Sequence, residues 1–334
     1  IAAPVAFLGG INAGAKRGII FKNSASLQTL SNMKTVAFDK TGTLTVGFPV
    51  LEDVEIFDNK YSKNQILNFA KALEKYSSHP LAKAFENLDI KEEANDVEIS
   101  GVKEVAGAGI EGIINGQKIS IKKSQSGRGE NGINSAFFIN EKPIATFQFA
   151  DKVKADSIKT IRNLKRFHIR KVAMLTGDGE EVAKKTAKEV GVDSVYAALK
   201  PEEKVNIVKG LEPKPVLFVG DGINDAPVLA SADLGLAISH GNLSAAAETA
   251  DIVIGGDHLC DIDYCFSISK KALKIAKQSM IGGIALSVIA MLFAASGFIP
   301  AIYGAIGQEL IDIFAIANGL RASFVPRKIS KTGC

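Results

Sequence analysis

The chain has 334 residues, of which 46% are apolar and 23% charged, which excludes an intrinsically disordered protein. Its 40 Lys and Arg against 36 Asp and Glu leave a net charge of +4, too little for a nucleic-acid partner without a clustered basic face. The mean hydropathy of +0.14 is high for so many charges, so the apolar residues must be concentrated in particular segments.

One such segment opens the chain. IAAPVAFLGGINAGA is apolar until Lys16 and Arg17. A secretory signal carries its positive charge before the apolar stretch, not after it. Residues 1–14 therefore read as the cytoplasmic end of a membrane helix whose beginning lies upstream. Next, Thr35 to Phe38 form a short apolar strand ending at Asp39, with Thr41, Gly42 and Thr43 in the following turn. From about Pro49 to Ala150 the pattern changes to a helix over Asn64 to Tyr76 and then a series of short alternating strands. That is an inserted α+β domain, with the Gly-rich stretch 124–132 as a loop.

The first pattern resumes after residue 150. Val172 to Leu175 precede Thr176, Gly177 and Asp178; a helix covers Glu180 to Val190; Val216 to Val219 precede Asp221 and Asp225; and a fourth strand spans Leu234 to Ile238. Strands alternating with helices predict an α/β domain with a parallel sheet. In such sheets the ligand crevice lies at the carboxyl ends of the strands, where these polar motifs fall. The cysteines Cys260, Cys265 and Cys334 show no paired framework. His258, Cys260, Asp261, Asp263 and Cys265 do not match zinc-site spacings, and their segment reads as an amphipathic approach to a membrane. From Met280 to Gln308, 29 residues pass without a charge, and about 20 suffice to cross a bilayer. Pro300 divides the apolar sequence into two predicted spans within 279–320, with Lys270, Lys271, Lys274 and Lys277 before them and Arg321 and Arg327 after. By the positive-inside rule both ends face the cytoplasm.

The strand-end residues carry a specific chemistry. A carboxylate is ionised at neutral pH and can attack a phosphoryl group without a general base. The repulsion between two anions must then be offset by Mg²⁺ and a Lys or Arg. Asp221 and Asp225 supply hard oxygen ligands of the kind Mg²⁺ prefers. Lys200 is the candidate phosphate partner, and Thr43 and Thr176 can donate hydroxyl hydrogen bonds to phosphoryl oxygens.

DKTGTLT from Asp39, TGD from Thr176, KPEEK from Lys200 and VGDGINDAP from Val219 resemble, in order and spacing, the phosphorylation-domain motifs of P-type ATPases. The resemblance implies a haloacid dehalogenase-like Rossmannoid phosphorylation domain (15–48 and 151–268), an inserted α+β nucleotide-binding domain (49–150) and C-terminal transmembrane helices. It implies phosphorylation of Asp39, Mg²⁺ held by Asp39, Asp221 and the Thr41 carbonyl with Asn224 and Asp225 in support, and contacts from Lys200 and Thr176 to the phosphoryl group, with Gly177 and Asp178 completing the TGD motif. Phosphatases of the wider superfamily usually carry a second Asp two residues after the nucleophile, where this chain has Thr41. That position argues for a pump over the alternative, a membrane-anchored phosphatase.

SSHPLA from Ser77 with Glu74, and GAGIEG from Gly107, resemble the nucleotide-binding domain of heavy-metal P-type ATPases. On that resemblance His79 packs on the adenine of ATP, Glu74 meets its polar edge, and Gly107 and Gly109 admit the nucleotide to the backbone. Gln308, Glu309 and Asp312 lie within the second predicted span, and intramembrane carboxylates mark ion paths. Their oxygen ligands favour Zn²⁺, Cd²⁺, Pb²⁺ or Co²⁺ over Cu⁺. The chain lacks the Met and paired serines of copper pumps and offers Ser287 where zinc pumps usually carry Lys. The resemblance implies a multi-pass protein of the cell membrane with cytoplasmic soluble domains, partnered by lipid and by the rest of an ATPase chain: the actuator domain and further transmembrane helices.

Overall fold

The computed structural model describes residues 2–79, 81–86, 88, 90, 99–105, 108–123, 133–221, 223–239, 245–295, 297 and 301–324. In chain order the elements are α1 (Ala2–Ala15), β1 (Ile19–Phe21), α2 (Ser24–Ser31), β2 (Thr35–Asp39), β3 (Thr45–Ile56), α3 (Lys63–Glu74), α4 (Ala82–Glu86), β4 (Ile99–Val105), β5 (Gly109–Ile114), β6 (Gln117–Lys123), β7 (Ile133–Ile139) and β8 (Lys142–Val153). There follow α5 (Ser157–Leu164), β9 (Lys171–Leu175), α6 (Glu180–Val190), β10 (Ser194–Tyr196), α7 (Pro201–Gly210), β11 (Val216–Gly220), α8 (Ala226–Ser231), β12 (Leu234–Ser239), α9 (Ala245–Thr249), β13 (Ile252–Gly255), α10 (Asp261–Ala295) and α11 (Ala301–Leu320). They form two compact units, one of Ile1–Leu44, Ala155–Asp178 and Ala187–Cys334, the other of Thr45–Lys154 and Gly179–Thr186.

The first unit is built on a seven-stranded sheet in the order β1-β13-β12-β11-β2-β9-β10, parallel throughout except for β1 at the edge. Every residue of β2 and β11 is buried, as expected for central parallel strands covered on both faces. The chain adds β9 and β10 on one side of β2 and then returns to place β11, β12 and β13 on the other. β2 and β11 thus flank a topological switch point, the usual place for a ligand in an open α/β sheet.

The second unit is a six-stranded antiparallel sheet, β3-β8-β7-β6-β5-β4. Its core is formed by Ile66 and Leu73 of α3, Phe85 of α4 and the inward residues Phe137, Phe147 and Phe149. Phe85 meets the Phe147 and Phe149 rings edge-on at 5.1 and 5.6 Å, the geometry aromatic quadrupoles favour. α3 starts at a capping box in which Ser62 accepts from the Gln65 N–H and Gln65 returns the bond. The predicted loop over 124–132 lies outside the described residues.

α10 runs unbroken for 35 residues from Asp261, and the span expected from about residue 279 falls in its second half. Its first half packs on the α/β unit through Ile262, Phe266 and Ala272, all buried, and its second half is exposed and apolar from Met280 onward. Among the described residues it is the one helix long and apolar enough to cross a membrane, with a mean hydropathy of 1.8 over its best window. The expected second span, α11, does not reach that level, because Gln308, Glu309, Asp312 and Asn318 dilute its apolar residues. α11 lies against α10, to which it is joined by hydrogen bonds from Asn318 Nδ2 to Ser279 Oγ (2.8 Å) and from Ser287 Oγ to Gln308 Oε1 (3.0 Å). Among the cysteines, Cys265 is a buried free thiol, whereas Cys260 takes part in a disulfide, contrary to the expectation of unpaired cysteines.

Candidate phosphorylation and nucleotide sites

The carboxyl ends of β2, β9 and β11 are adjacent, so the three polar motifs meet. Asp39 ends β2; Asp221 follows β11; and Asp225 closes a short helical turn over Ile223–Asp225. Carboxylate oxygens of Asp39, Asp221 and Asp225 all lie within 4.8 Å of one another. Asp39 and Asp225 are only 6% and 4% exposed. Three carboxylates this close, two of them buried, need positive charge between them. Part of it comes from Lys204, whose Nζ pairs with Asp39 and lies 3.5 Å from Asp225 Oδ1. Burial is the main cause that pushes the Asp39 carboxyl up to about 7; Asp225 and Asp221 add to the rise, and Lys204 opposes it.

The loop after β2 is shaped for this cluster. Gly42 has φ +76°, and a Cβ there would stand 1.9 Å from Asp221 Oδ2. Only glycine lets the loop lie this close to the Asp221 carboxylate. Thr43 is fully buried and its hydroxyl has no hydrogen-bond partner among the described residues, an arrangement that favours a ligand acceptor. Thr41 is exposed and breaks the helical turn with ψ 126°. Lys40, next to Asp39, pairs instead with Asp178.

Thr176 is buried, and its Oγ accepts the Asp178 N–H at 3.1 Å. The backbone of this turn is tied to the residues before α7, with Ala198 N–H donating to the Asp178 carbonyl (2.7 Å) and Leu199 N–H to that of Thr176 (3.1 Å). Gly177 lies in the same crossing, where a Cβ would sit 3.3 Å from the Leu199 carbonyl. These bonds fix where α7 begins and therefore where its lysines point. Lys200, the expected phosphate partner, precedes the helix: its N–H is capped by Glu203 (2.7 Å) and its side chain is exposed. Lys204, one turn further, reaches Asp39 in its place. The pattern held a signal for this, since Lys204 stands four residues before the buried Val208 and so on the same, inward face of α7. Asn224 is exposed at the edge of the cluster.

The carboxylate set suits Mg²⁺, a hard cation that binds oxygen ligands, and the close fit at Gly42 holds Asp221 where it can serve. His258, Cys260, Asp261, Asp263 and Cys265 do not gather as ligands; among the described residues the one group with metal-binding geometry is Asp39, Asp221 and Asp225. Asp261 instead pairs with Arg17 Nε at 2.6 Å, and Asp263 accepts from Asn163 at 2.7 Å.

In the second unit, Glu74 ends α3. It is 5% exposed and its Oε2 has no hydrogen-bond partner. Burial pushes its carboxyl up to about 7; a hydrogen bond with Ser77 opposes this and Glu104 adds to it. Glu104 itself accepts from the Ser77 and Ser78 hydroxyls (2.5 and 3.0 Å) and the Ser78 N–H (3.2 Å), so it draws the SSH turn onto β4. His79 is exposed, with Nδ1 accepting the Leu81 N–H at 3.2 Å. Gly107 lies outside the described residues. Gly109 has a structural reason to be glycine: at φ +135° its Cβ would stand 2.1 Å from the Ile121 carbonyl of β6, so its missing side chain makes room for the neighbouring strand. In α11, Gln308 and Glu309 are exposed and Asp312 is half-buried.

A buried carboxylate at the end of a central parallel strand, with a lysine and two further carboxylates around it, is an arrangement that can serve phosphoryl chemistry. In keeping with that, residues 33–233 match the family described as haloacid dehalogenase-like hydrolase, and the chain belongs to that family. It is 35% identical over 341 residues to a zinc-transporting ATPase of Synechocystis sp., covering 96% of this chain and 46% of that protein. It is 32% identical over 344 residues to a cadmium, zinc and cobalt-transporting ATPase of Bacillus subtilis, covering 98% and 48%. Among solved structures it is similar to a zinc-transporting PIB-type ATPase in its E2.Pi state, with a TM-score of 0.87, 28% identity and coverage of 97% of this chain and 55% of that one. The chain spans about half the length of the curated relatives it matches.

Proposed function

We propose that the chain is the catalytic part of a P-type ATPase that uses ATP to move a divalent heavy-metal cation across a membrane, through an acyl phosphate on Asp39. The observation that carries this reading is the Asp39, Asp221, Asp225 and Lys204 cluster at the sheet's switch point. An Asp39 carboxylate oxygen bonds to the γ-phosphorus of ATP, the bond from that phosphorus to the β-γ bridging oxygen breaks, and ADP leaves with that oxygen's electron pair. Lys204 offsets negative charge on Asp39 and on the incoming phosphoryl oxygens. Thr43 and Thr176 donate their hydroxyl hydrogens to those oxygens, and Lys40 holds Asp178 and with it the Thr176 turn. Asp39, Asp221 and Asp225, with the Thr41 carbonyl, would hold Mg²⁺, which would supply the charge neutralisation that the anionic nucleophile needs.

Because Thr41 stands where a carboxylate would activate water, the aspartyl phosphate has no local base to hydrolyse it. It can therefore persist as a working intermediate, which favours a pump over a phosphatase. In the second unit, Glu74 and His79 are the residues for the adenine base, the first by its buried carboxyl and the second by its exposed imidazole. Gln308, Glu309 and Asp312 are the proposed ligands of the transported ion in a multi-pass membrane domain. Zn²⁺, Cd²⁺ and Co²⁺ suit these oxygen donors, as in the named substrates of the relatives, better than Cu⁺ does.

ATP hydrolysis by membrane vesicles containing the protein tests the proposal. The expected result is several-fold stimulation by Zn²⁺, Cd²⁺ or Co²⁺ and none by Cu⁺. Hydrolysis of simple phosphate esters, indifferent to every transition metal, would overturn it in favour of a phosphatase.

A further inference from the structure

At the point where α10 leaves the α/β unit, a groove of about 580 Å³ runs between α10 and the end of α2. Lys270, Lys274 and Lys277 line it, together with Gln278, Ile281 and Ser31. The three lysines stand at i, i+4 and i+7, which places them on one face of the helix. None of the lining residues is acidic, and Lys34 adds a further positive charge close to Lys270. Lys270 is tethered by donating to the Phe167 carbonyl, whereas Lys274 and Lys277 are exposed and have no hydrogen bond or ion pair among the described residues. Lys271, on another face, is occupied with the Phe324 carbonyl.

The apolar side of the groove is equally placed. Ile281 lines it and also begins the exposed apolar surface of α10, being 62% exposed and followed by Ile284 at 59%. Lys277 precedes Ile281 by one helical turn, about 6 Å along the axis, which is close to the depth of one headgroup layer of a bilayer. A general preference for lysine on the cytoplasmic side would be met by lysines on any face of the helix. Here they converge on one groove that opens onto the apolar surface.

We infer that this groove binds the phosphate headgroup of an anionic glycerophospholipid, with the lysine ammoniums and the Gln278 amide on the phosphate and an acyl chain along Ile281 and Ile284. The inference rests on the reading of α10 as a membrane-crossing helix. A lipid is preferred to a free anion because the cationic lining is continuous with exposed apolar surface, and such basic pockets near the membrane face are suited to acidic lipids.

Native mass spectrometry of the protein in mixed micelles, titrated with phosphatidylglycerol, measures the dissociation constant of the first lipid bound. Lys274→Gln with Lys277→Gln is expected to weaken it about thirty-fold, the order expected for two lysines at an anionic surface. Lys16→Gln with Lys271→Gln, which removes as much charge near the same end of α10 but outside the groove, is expected to change it less than about threefold on the same scale. Equal losses in the two double variants, or none in the first, would overturn the site. Displacement of the lipid by glycerol phosphate at equal concentration would also overturn it, since the occupant would then be a free anion. Flotation with phosphatidylcholine vesicles separates the underlying reading: a protein that does not float at all lacks the membrane helix, and the lipid site falls with it.

Discussion

Replacing Glu74 by Gln is expected to stabilise the second unit while weakening its proposed function. The Glu74 carboxyl is 5% exposed with one oxygen unpartnered, and burial raises it to about 7 from an ordinary value of 4.5. A raised carboxyl favours the protonated form in the folded state. Between pH 4.5 and 7 the native unit therefore holds a proton that the unfolded chain has lost, and stability falls as pH rises through this window. At about 1.4 kcal/mol per pH unit the charge costs on the order of 3 kcal/mol above pH 7. Gln removes that cost but leaves an amide N–H in need of a partner, a loss of about 1 kcal/mol. The net expectation is a gain of about 2 kcal/mol at pH 8 and none, or a slight loss, near pH 4.5. Hydrogen exchange of α3 and β5 peptides in the full chain, converted to opening free energies at the two pH values, reads this directly. Equal effects at both pH values, or a destabilised variant at pH 8, would refute the account of Glu74 as a charge held at a cost. Because the same carboxyl is proposed to meet adenine, the stabilised variant should also bind ATP more weakly, the trade-off expected when strain is kept for function.

Three further outcomes follow from the geometry. Lys204→Ala should lower the steady-state phosphoenzyme formed from labelled ATP by about a hundredfold, as for loss of a charge-stabilising group, whereas Lys200→Ala should leave it within a few-fold; the reverse ranking would return the role to Lys200. Gly42→Ala forces a Cβ to within 1.9 Å of Asp221 Oδ2 at φ +76°, so the Mg²⁺ concentration for half-maximal phosphorylation should rise about tenfold, for a loss of about 1.4 kcal/mol, with little change in the circular dichroism spectrum. Ser287→Ala removes the hydroxyl that donates to Gln308 Oε1 at 3.0 Å; the metal concentration for half-maximal ATPase should rise with the maximal rate kept, and Ser287→Thr should restore it.

The α/β unit and the three strand-end motifs were legible in the sequence because each apolar run stops abruptly at a polar residue: Asp39, Thr176 and Asp221. A parallel strand buried on both faces tolerates such residues only at its ends. Lys204 was harder to read. KPEEK offers two lysines one turn apart, and which of them reaches Asp39 depends on where α7 starts, a matter decided by the bonds of Ala198 and Leu199 to the Thr176 turn. The packing reason for Gly109 was not legible for a similar reason, since a glycine that admits a ligand and one that admits the Ile121 carbonyl look alike in a sequence. The two C-terminal helices were legible from the charge-free run and Pro300; the two carboxylates and two amides of α11 lower its hydropathy without interrupting its helix. The amphipathic stretch before residue 279 forms the first half of α10, continuous with the apolar half. Its buried residues Ile262, Phe266, Ser269 and Ala272 repeat at helical spacing.

The central claim is that Asp39 accepts the γ-phosphoryl group of ATP. Brief exposure of the protein to γ-labelled ATP with Mg²⁺, an acid quench and peptide mapping test it most directly. The account predicts an acid-stable, hydroxylamine-labile phosphoprotein labelled on the peptide that contains Asp39 and abolished by Asp39→Asn. Label that persists in Asp39→Asn, or ATP turnover with no trapped phosphoprotein, would contradict it.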